Sequence, residues 1–281
     1  MFARRFATIA ATVLTSYTAL FSNVSNAACT SMIPADQLVT PGTLALATNP
    51  TLKPLQYIDG EGNLKGMNID LGNEIAKRLC MKMEFMRMDF PSMVPAMSAA
   101  RFDGIDTGMF WTEARSKSMY TVPYAMATIT VVVSPNSKST LPDIKDLAGH
   151  SIGVEADSYQ EKWVRDQVKT IEAAGGKPID VKAFQTASDV MAAMRAGQLD
   201  YSAFPSYAAG GFIKDGAAKM VLGGLGGSQT TMAFRKRAVA VAVAKAMDDM
   251  RADGTYAKIL DSYSMQKLPA AHIELVGTGP G

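Results

Sequence analysis

The chain has 281 residues, 48% hydrophobic and 19% charged, with 13 prolines and 23 glycines, an ordinary globular composition that excludes disordered, collagenous and coiled-coil chains. Its 28 bases and 26 acids leave a formal charge of +2 that comes entirely from Arg4 and Arg5, so the rest is neutral and offers no electrostatic support for a nucleic-acid or membrane-surface partner. The length exceeds what one core usually fills, and two lobes are expected.

Residues 1–27 have the three parts of an export signal: a basic start at Arg4 and Arg5, an apolar stretch over residues 6–21, and the small-residue ending Ser25-Asn26-Ala27. Cleavage is expected after Ala27. The apolar stretch is about 16 residues and is broken by Thr8, Thr12, Thr15, Ser16, Tyr17 and Thr18, short of the roughly 20 that span a membrane. The mature chain is expected free in an exported compartment. Its only cysteines are Cys29 and Cys80, which an oxidising compartment would let pair. The alternative is Cys80 as a small buried residue at a helix end.

Residues 44–48 read as a buried strand, followed by a loop with Pro50 and Pro54 and a turn at Asp59-Gly60-Glu61-Gly62. Leu71, Ile75 and Leu79 recur every four residues, the stripe of a helix packed on a sheet. Residues 83–88 alternate as a strand, 92–100 return as a helix and 104–108 make a third strand. Such a βαβαβ order implies a parallel sheet. The order recurs as strand 152–155, helix 159–174, strand 181–184, helix 188–196 and strand 199–204, and residues 96–103 align with 193–200 at matching places.

Two apolar extended segments, 128–134 and 230–234, stand at the borders of these units and are expected to pair as hinge strands. Helices over 239–250 and 255–263 return to the first unit. The expected lobes are therefore residues 28–132 with 231–281, and residues 133–230. Two crossings close together permit rotation of one lobe on the other. Residues 223–227 lack the Gly-Lys-Ser/Thr ending of a phosphate loop and read as a flexible return to the second hinge. Most of the 19 methionines fall on helix and strand faces, as core filling.

Catalytic motifs are scarce. His150 lies in an expected turn, His272 near an expected frayed terminus, and neither sits beside a nucleophile in a triad pattern or in a zinc set of usual spacing. No metal and no cofactor are expected. The informative stretch runs from Gly104 to Arg115. A strand ends there at the carboxyl edge of an open α/β sheet, where ligands usually bind. Gly108 lets backbone approach a ligand, Thr112 can cap a short helix, and Arg115 would present a planar fork to a carboxylate. Standing alone, Arg115 is more often a solvated helix residue.

Four motifs in order carry a resemblance: Gly42-Thr43-Leu44-Ala45-Leu46-Ala47-Thr48-Asn49-Pro50-Thr51; Gly66-Met67-Asn68-Ile69-Asp70-Leu71; Thr107-Gly108-Met109 through Thr112-Glu113-Ala114-Arg115; and Met250-Arg251-Ala252-Asp253-Gly254-Thr255-Tyr256. Over about 230 residues the chain resembles the periplasmic solute-binding proteins of polar amino-acid ABC transporters. The resemblance implies an α/β, two-lobed Venus-flytrap (type II periplasmic-binding-protein) fold with two hinge strands. It further implies a monomer in the periplasm, a small carboxylate or amino-acid-like ligand in the interlobe cleft, and a membrane permease as partner.

Carried over residue by residue, the resemblance makes Arg115 the carboxylate clamp, Gly108 a backbone donor and Phe90 a cleft wall. Asn49 stands where members selecting cationic side chains often have Asp, which argues against a basic ligand. Leu52 replaces a frequent aromatic, Phe110 replaces a Ser or Thr, and Asp157-Ser158-Tyr159 occupies the place of a Gly-Thr-Thr loop. Pro205 stands where an Asp for the ligand's α-ammonium is expected, and Asp157 or Glu155 is left to supply that charge. Phe90, Phe110, Trp111, Tyr159 and Phe204 suggest a wide apolar pocket. The rival reading is an enzyme resembling cyclohexadienyl dehydratase, with Glu161 as general acid; a third is a diffusible partner of a sensory receptor.

Overall fold

A computed structural model describes residues 29–280; the expected export signal lies outside the described residues. Every residue of β1 (Thr43–Thr48) is buried, as expected of a parallel strand covered on both faces. A small antiparallel sheet follows, β2 (Thr51–Leu52), β3 (Gln56–Ile58) and β4 (Leu64–Lys65). Helix α1 (Met67–Arg78) buries Leu71 and Ile75 on one side of the main sheet. Strand β5 (Lys82–Arg87), helix α2 (Phe90–Ser98) and strand β6 (Gly104–Phe110) complete the first unit, in which β1 pairs in parallel with both β5 and β6.

Short helix α3 (Glu113–Ser118) leads into β7 (Tyr120–Val133). The second unit is β8 (Ser151–Glu155), α4 (Tyr159–Ala173), β9 (Asp180–Phe184), α5 (Ala187–Arg195), β10 (Tyr201–Pro205) and α6 (Ser206–Lys214), with β8 parallel to both β9 and β10. Strand β11 (Lys219–Phe234), helices α7 (Arg237–Ala252) and α8 (Thr255–Ser262) and strand β12 (Gln266–Lys267) close the chain. Helices α7 and α8 pack against α1, so the chain does return to its first unit.

The main sheet runs β5-β1-β6-β11-β7-β10-β8-β9, with β12 on β7. Its centre is an antiparallel ribbon of two long strands, β7 with 14 residues and β11 with 16. Strand β6 joins the ribbon beside Thr230–Phe234, while β10 joins it beside Ile129–Val132. Each half-sheet is therefore attached to a different end of the ribbon, which makes the two-lobed architecture. The two short hinge segments read from the sequence are parts of these strands. They do not pair with each other: residues 230–234 lie against 120–125, and 128–133 against 219–228.

Two further corrections concern glycines. The run 223–227 is no loose return; it lies inside β11, where the pairing with β7 shifts register repeatedly between Met220 and Ser228. Helix α6 has no counterpart in the sequence reading because Gly210 and Gly211 interrupt its apolar pattern. A Cβ on Gly211 would stand 2.4 Å from the Lys53 carbonyl oxygen, so this helix needs its glycine to approach the first lobe.

Cys29 and Cys80 are joined, with Cα atoms 5.5 Å apart, and the free-thiol alternative falls away. Cys80 follows the end of α1 with φ 58°, the left-handed position that commonly ends a helix.

In the middle of β6, Asp106 is fully buried and neither carboxylate oxygen makes a hydrogen bond. Burial pushes its pKa well above the ordinary 3.8. Because the folded value is the higher one, this acid's contribution to stability is fully present below pH 3.8 and is lost as pH rises towards the folded value. Asp106→Asn is expected to raise the melting temperature at pH 8 by roughly 3 °C or more, with a smaller gain at pH 4. Thermal melts of both proteins at the two pH values check this; a lower melting temperature for the variant at pH 8 would contradict it.

Candidate functional site

The carboxyl ends of β1, β6, β8 and β10 bring residues from both lobes to one place. Thr112 starts α3 by accepting the Arg115 backbone N–H at 3.1 Å, and this cap sets where Arg115 leaves the helix. The guanidinium donates through Nη1 to the Phe110 carbonyl at 2.7 Å and through Nη2 to the Asp157 carbonyl at 2.9 Å. It also lies over the Phe90 ring, 5.4 Å from the centroid. Both acceptors are neutral, and among the described residues no acid forms an ion pair with it. Burial lowers its pKa to about 10, against the opposing field of Asp157, so it stays cationic at neutral pH.

Opposite, Glu155 ends β8 with 9% of its surface exposed. Its Oε1 accepts from Asn49 Nδ2 at 2.8 Å across the lobes. Asn49 is held in that orientation, because its Oδ1 accepts the Thr51 hydroxyl at 2.9 Å and its backbone N–H donates to Thr107 Oγ1 at 3.0 Å. Burial pushes Glu155 up to about 8 despite the Asn49 bond. Tyr207, from α6, donates its hydroxyl to the Gly108 carbonyl at 2.9 Å. Gly108 has φ 75°, and a Cβ there would stand 2.5 Å from the Tyr207 oxygen. The close backbone approach expected at Gly108 is therefore made by Tyr207.

Leu52, Phe90, Gly108, Phe110, Arg115, Ser158 and Tyr159 line one cavity of about 20 Å³, room for about one water. Asn49 stands behind Glu155, and Asp157 brings its carbonyl to Arg115 while its own side chain is exposed. The Phe110 and Tyr159 rings meet across the lobes at 5.0 Å. With Lys53–Asp215 at 3.0 Å, these contacts hold the two halves together.

The model of the bacterial extracellular solute-binding proteins, family 3, matches residues 44–266. This chain belongs to that family. It is 28% identical over 234 residues to the lysine/arginine/ornithine-binding periplasmic protein of Escherichia coli (strain K12), covering 79% of this chain and 88% of that protein. The histidine-binding periplasmic protein of the same strain is 29% identical over 235 residues, with the same shares. Among solved structures, an ancestral arginine-binding protein bound to arginine has a TM-score of 0.73 and 30% identity, covering 79% of this chain and 98% of that one.

Within this family 3 protein, the sequence reading missed Tyr207 and Gln160. Both line the cavity, and the buried Gln160 Nε2 has no hydrogen-bond partner. Tyr207 was hidden with α6; Gln160 reads as one more polar residue in a first helical turn. The wide aromatic pocket needs correction. Phe204 turns into the core and meets Phe212 edge-on, ring centroids 5.0 Å apart, and Trp111 is not among the lining residues. Glu161, the candidate general acid of the enzyme reading, accepts the Asp157 N–H at 2.7 Å on one oxygen and Arg165 at 2.8 Å on the other. Its carboxylate serves the start of α4 and does not line the cavity. The terminus carrying His272 is not frayed: Val276 N–H donates to the Thr121 carbonyl and Gly279 N–H to the Ser116 carbonyl, which braces α3 from behind.

Proposed function

We propose that this family 3 solute-binding protein is the periplasmic component of an ABC importer, processed by removal of residues 1–27 and working as a monomer. It receives an amino acid or similar small carboxylate between lobes formed by residues 28–132 with 231–281 and by residues 133–230, and delivers it to a membrane permease. The observation that carries this reading is the Arg115 guanidinium. It faces the interlobe cavity with no ion pair to any described acid and with neutral carbonyls as its hydrogen-bond partners.

A solute carboxylate would satisfy that charge bidentately, and the unpartnered Gln160 amide is placed as a further donor. Since the cavity holds about one water in this arrangement, the lobes must part to admit a solute and close on it. Closure is favoured only by contacts that both walls make to the solute together. The amino-acid names of the relatives support the same class of ligand.

A thermal-shift screen of the twenty common amino acids and other small carboxylates tests this, because a solute bound only by the folded chain raises its melting temperature. At saturating solute, about a hundred times Kd, the stabilisation is roughly 2.7 kcal/mol. A set in which no carboxylate shifts the melting point, while an uncharged solute does, would contradict the proposal.

A further inference from the structure

A second group of buried polar atoms lies inside the first lobe, where the solute site does not use it. In the parallel ladder of β1 and β6, Ala47 pairs with Ile105, and both turn into the core packed by Met93 and Met97 of α2. Thr48 and Asp106, one residue further along each strand, therefore point together to the other face. There Tyr124 of β7 packs with Leu44 and Leu46. Burial first, then the charges of Asp106 and Tyr207, push the Tyr124 pKa up, while Asn68 of α1 and Thr230 of β11 oppose them from beside its hydroxyl.

These five side chains are fully buried. Thr48 Oγ1, Asn68 Oδ1, both Asp106 carboxylate oxygens, the Tyr124 hydroxyl and Thr230 Oγ1 nevertheless have no hydrogen-bond partner. Buried polar atoms are nearly always paired, so orphans gathered in one layer point to a partner they share. Asp106 stands two residues before Gly108 on β6, and Gly108 and Tyr207 both line the cavity, so this layer lies just behind the cavity wall.

The donor set selects the partner. Gln56 spends its amide nitrogen on the Thr107 carbonyl at 3.0 Å and takes the Asn68 amide nitrogen on its oxygen at 2.9 Å. The Asn68 oxygen, which can only accept, is thereby left to the layer. Every orphan in the layer is an oxygen, the ligand type of hard cations. Asp106 gives them a single negative charge, which no basic side chain among the described residues offsets and which is costly to bury alone. One positive charge balances it, whereas the divalent ions that oxygen cages hold call for more carboxylates.

We propose that Asp106, Thr48, Asn68, Tyr124 and Thr230 form a binding site for a monovalent alkali cation within the first lobe. The site shares no residue with the Arg115 clamp and stands or falls apart from it. The gain in melting temperature expected of Asp106→Asn is accordingly that of the chain in a buffer free of alkali cations; with the cation bound, the wild type recovers the difference.

Thermal melts at pH 8 in sodium, potassium or choline chloride test this, each at about 0.15 M so that screening is equal. One of the alkali salts should raise the wild-type melting temperature above its value in choline by about 3 °C or more. Asp106→Asn should melt alike in all three salts and above wild type in choline. Thr230→Val, which keeps the shape and removes one neutral oxygen, should show a smaller alkali shift than wild type.

Equal melting of the wild type in all three salts would overturn the proposal, as would an alkali shift that Asp106→Asn shares in full. A crystal structure in the more stabilising salt decides the same point directly. The ion should lie among the orphaned oxygens, seen by its anomalous signal for potassium or by contacts shorter than hydrogen bonds for sodium. A water at hydrogen-bond distances in that place, with Asp106 neutralised by a proton, would overturn it.

Discussion

Replacing Arg115 with alanine is expected to weaken a carboxylate solute by about 30-fold or more, the ~2 kcal/mol lower bound for removing one partner of a buried, hydrogen-bonded charge pair. The effect is large because nothing else in the cavity carries positive charge. The cavity's other polar groups are the acid Glu155 and the neutral side chains of Thr107, Ser158, Tyr159, Gln160 and Tyr207. Arg115→Lys should recover only part of the loss, since a single ammonium cannot match the planar fork that reaches Phe110 and Asp157 from one position. Titration calorimetry with the best solute from the screen measures both variants. Because the wild-type side chain also joins the lobes through the Asp157 carbonyl, the alanine variant should close less readily even where it still binds. Unchanged affinity would take Arg115 out of the site.

Breaking the bond between Cys29 and Cys80 is the second large effect. The two residues are 51 apart in sequence, and in the chain-entropy account a closed loop of that size stabilises the folded state by about 4 kcal/mol. Urea unfolding of the oxidised chain and of the Cys29→Ser, Cys80→Ser double variant should differ by that order. Solute affinity should stay within about twofold, a change too small to register against the ~1.4 kcal/mol that a tenfold loss represents. The reason is position: Cys80 precedes β5, so the bridge ties the amino edge of the first half-sheet, while the cavity lies at the carboxyl ends of the strands. An oxidised chain no more stable than the double variant would show that the bridge adds nothing to folding.

The elements carried by apolar periodicity were legible. Leu71, Ile75 and Leu79 predict α1, and the fully buried run of β1 reads as a parallel strand before any coordinates. What periodicity hides is structure whose stability comes from a partner. The glycines at 223–227 have poor intrinsic strand preference, yet they lie in β11 because the residues around and between them, Leu222, Leu225 and Ser228, pair with β7. Helix α6 is held by its approach to Lys53, where Gly211 has no Cβ to obstruct it. For the same reason Tyr207 could not be placed in the site.

Among the candidate site residues, those on strand ends and the first turn of a capped helix were legible. Arg115 follows Thr112 by the spacing of a cap, and Phe90, Phe110 and Tyr159 reach the cavity. Phe204 misled because an aromatic one residue before a strand end has two faces to choose from, and it turned to Phe212. Glu155 stood out only as a possible substitute for a missing acid. Its pairing with Asn49, 106 residues away, joins the two lobes and cannot be read from either unit alone.

A crystal structure of the chain with its tightest-binding solute interrogates the clamp directly. It should place both carboxylate oxygens of the solute on the Arg115 guanidinium, each at about 2.8 Å, with the second lobe closed over them. A bound solute whose carboxylate lies elsewhere, with Arg115 still spent on the Phe110 and Asp157 carbonyls, would contradict it.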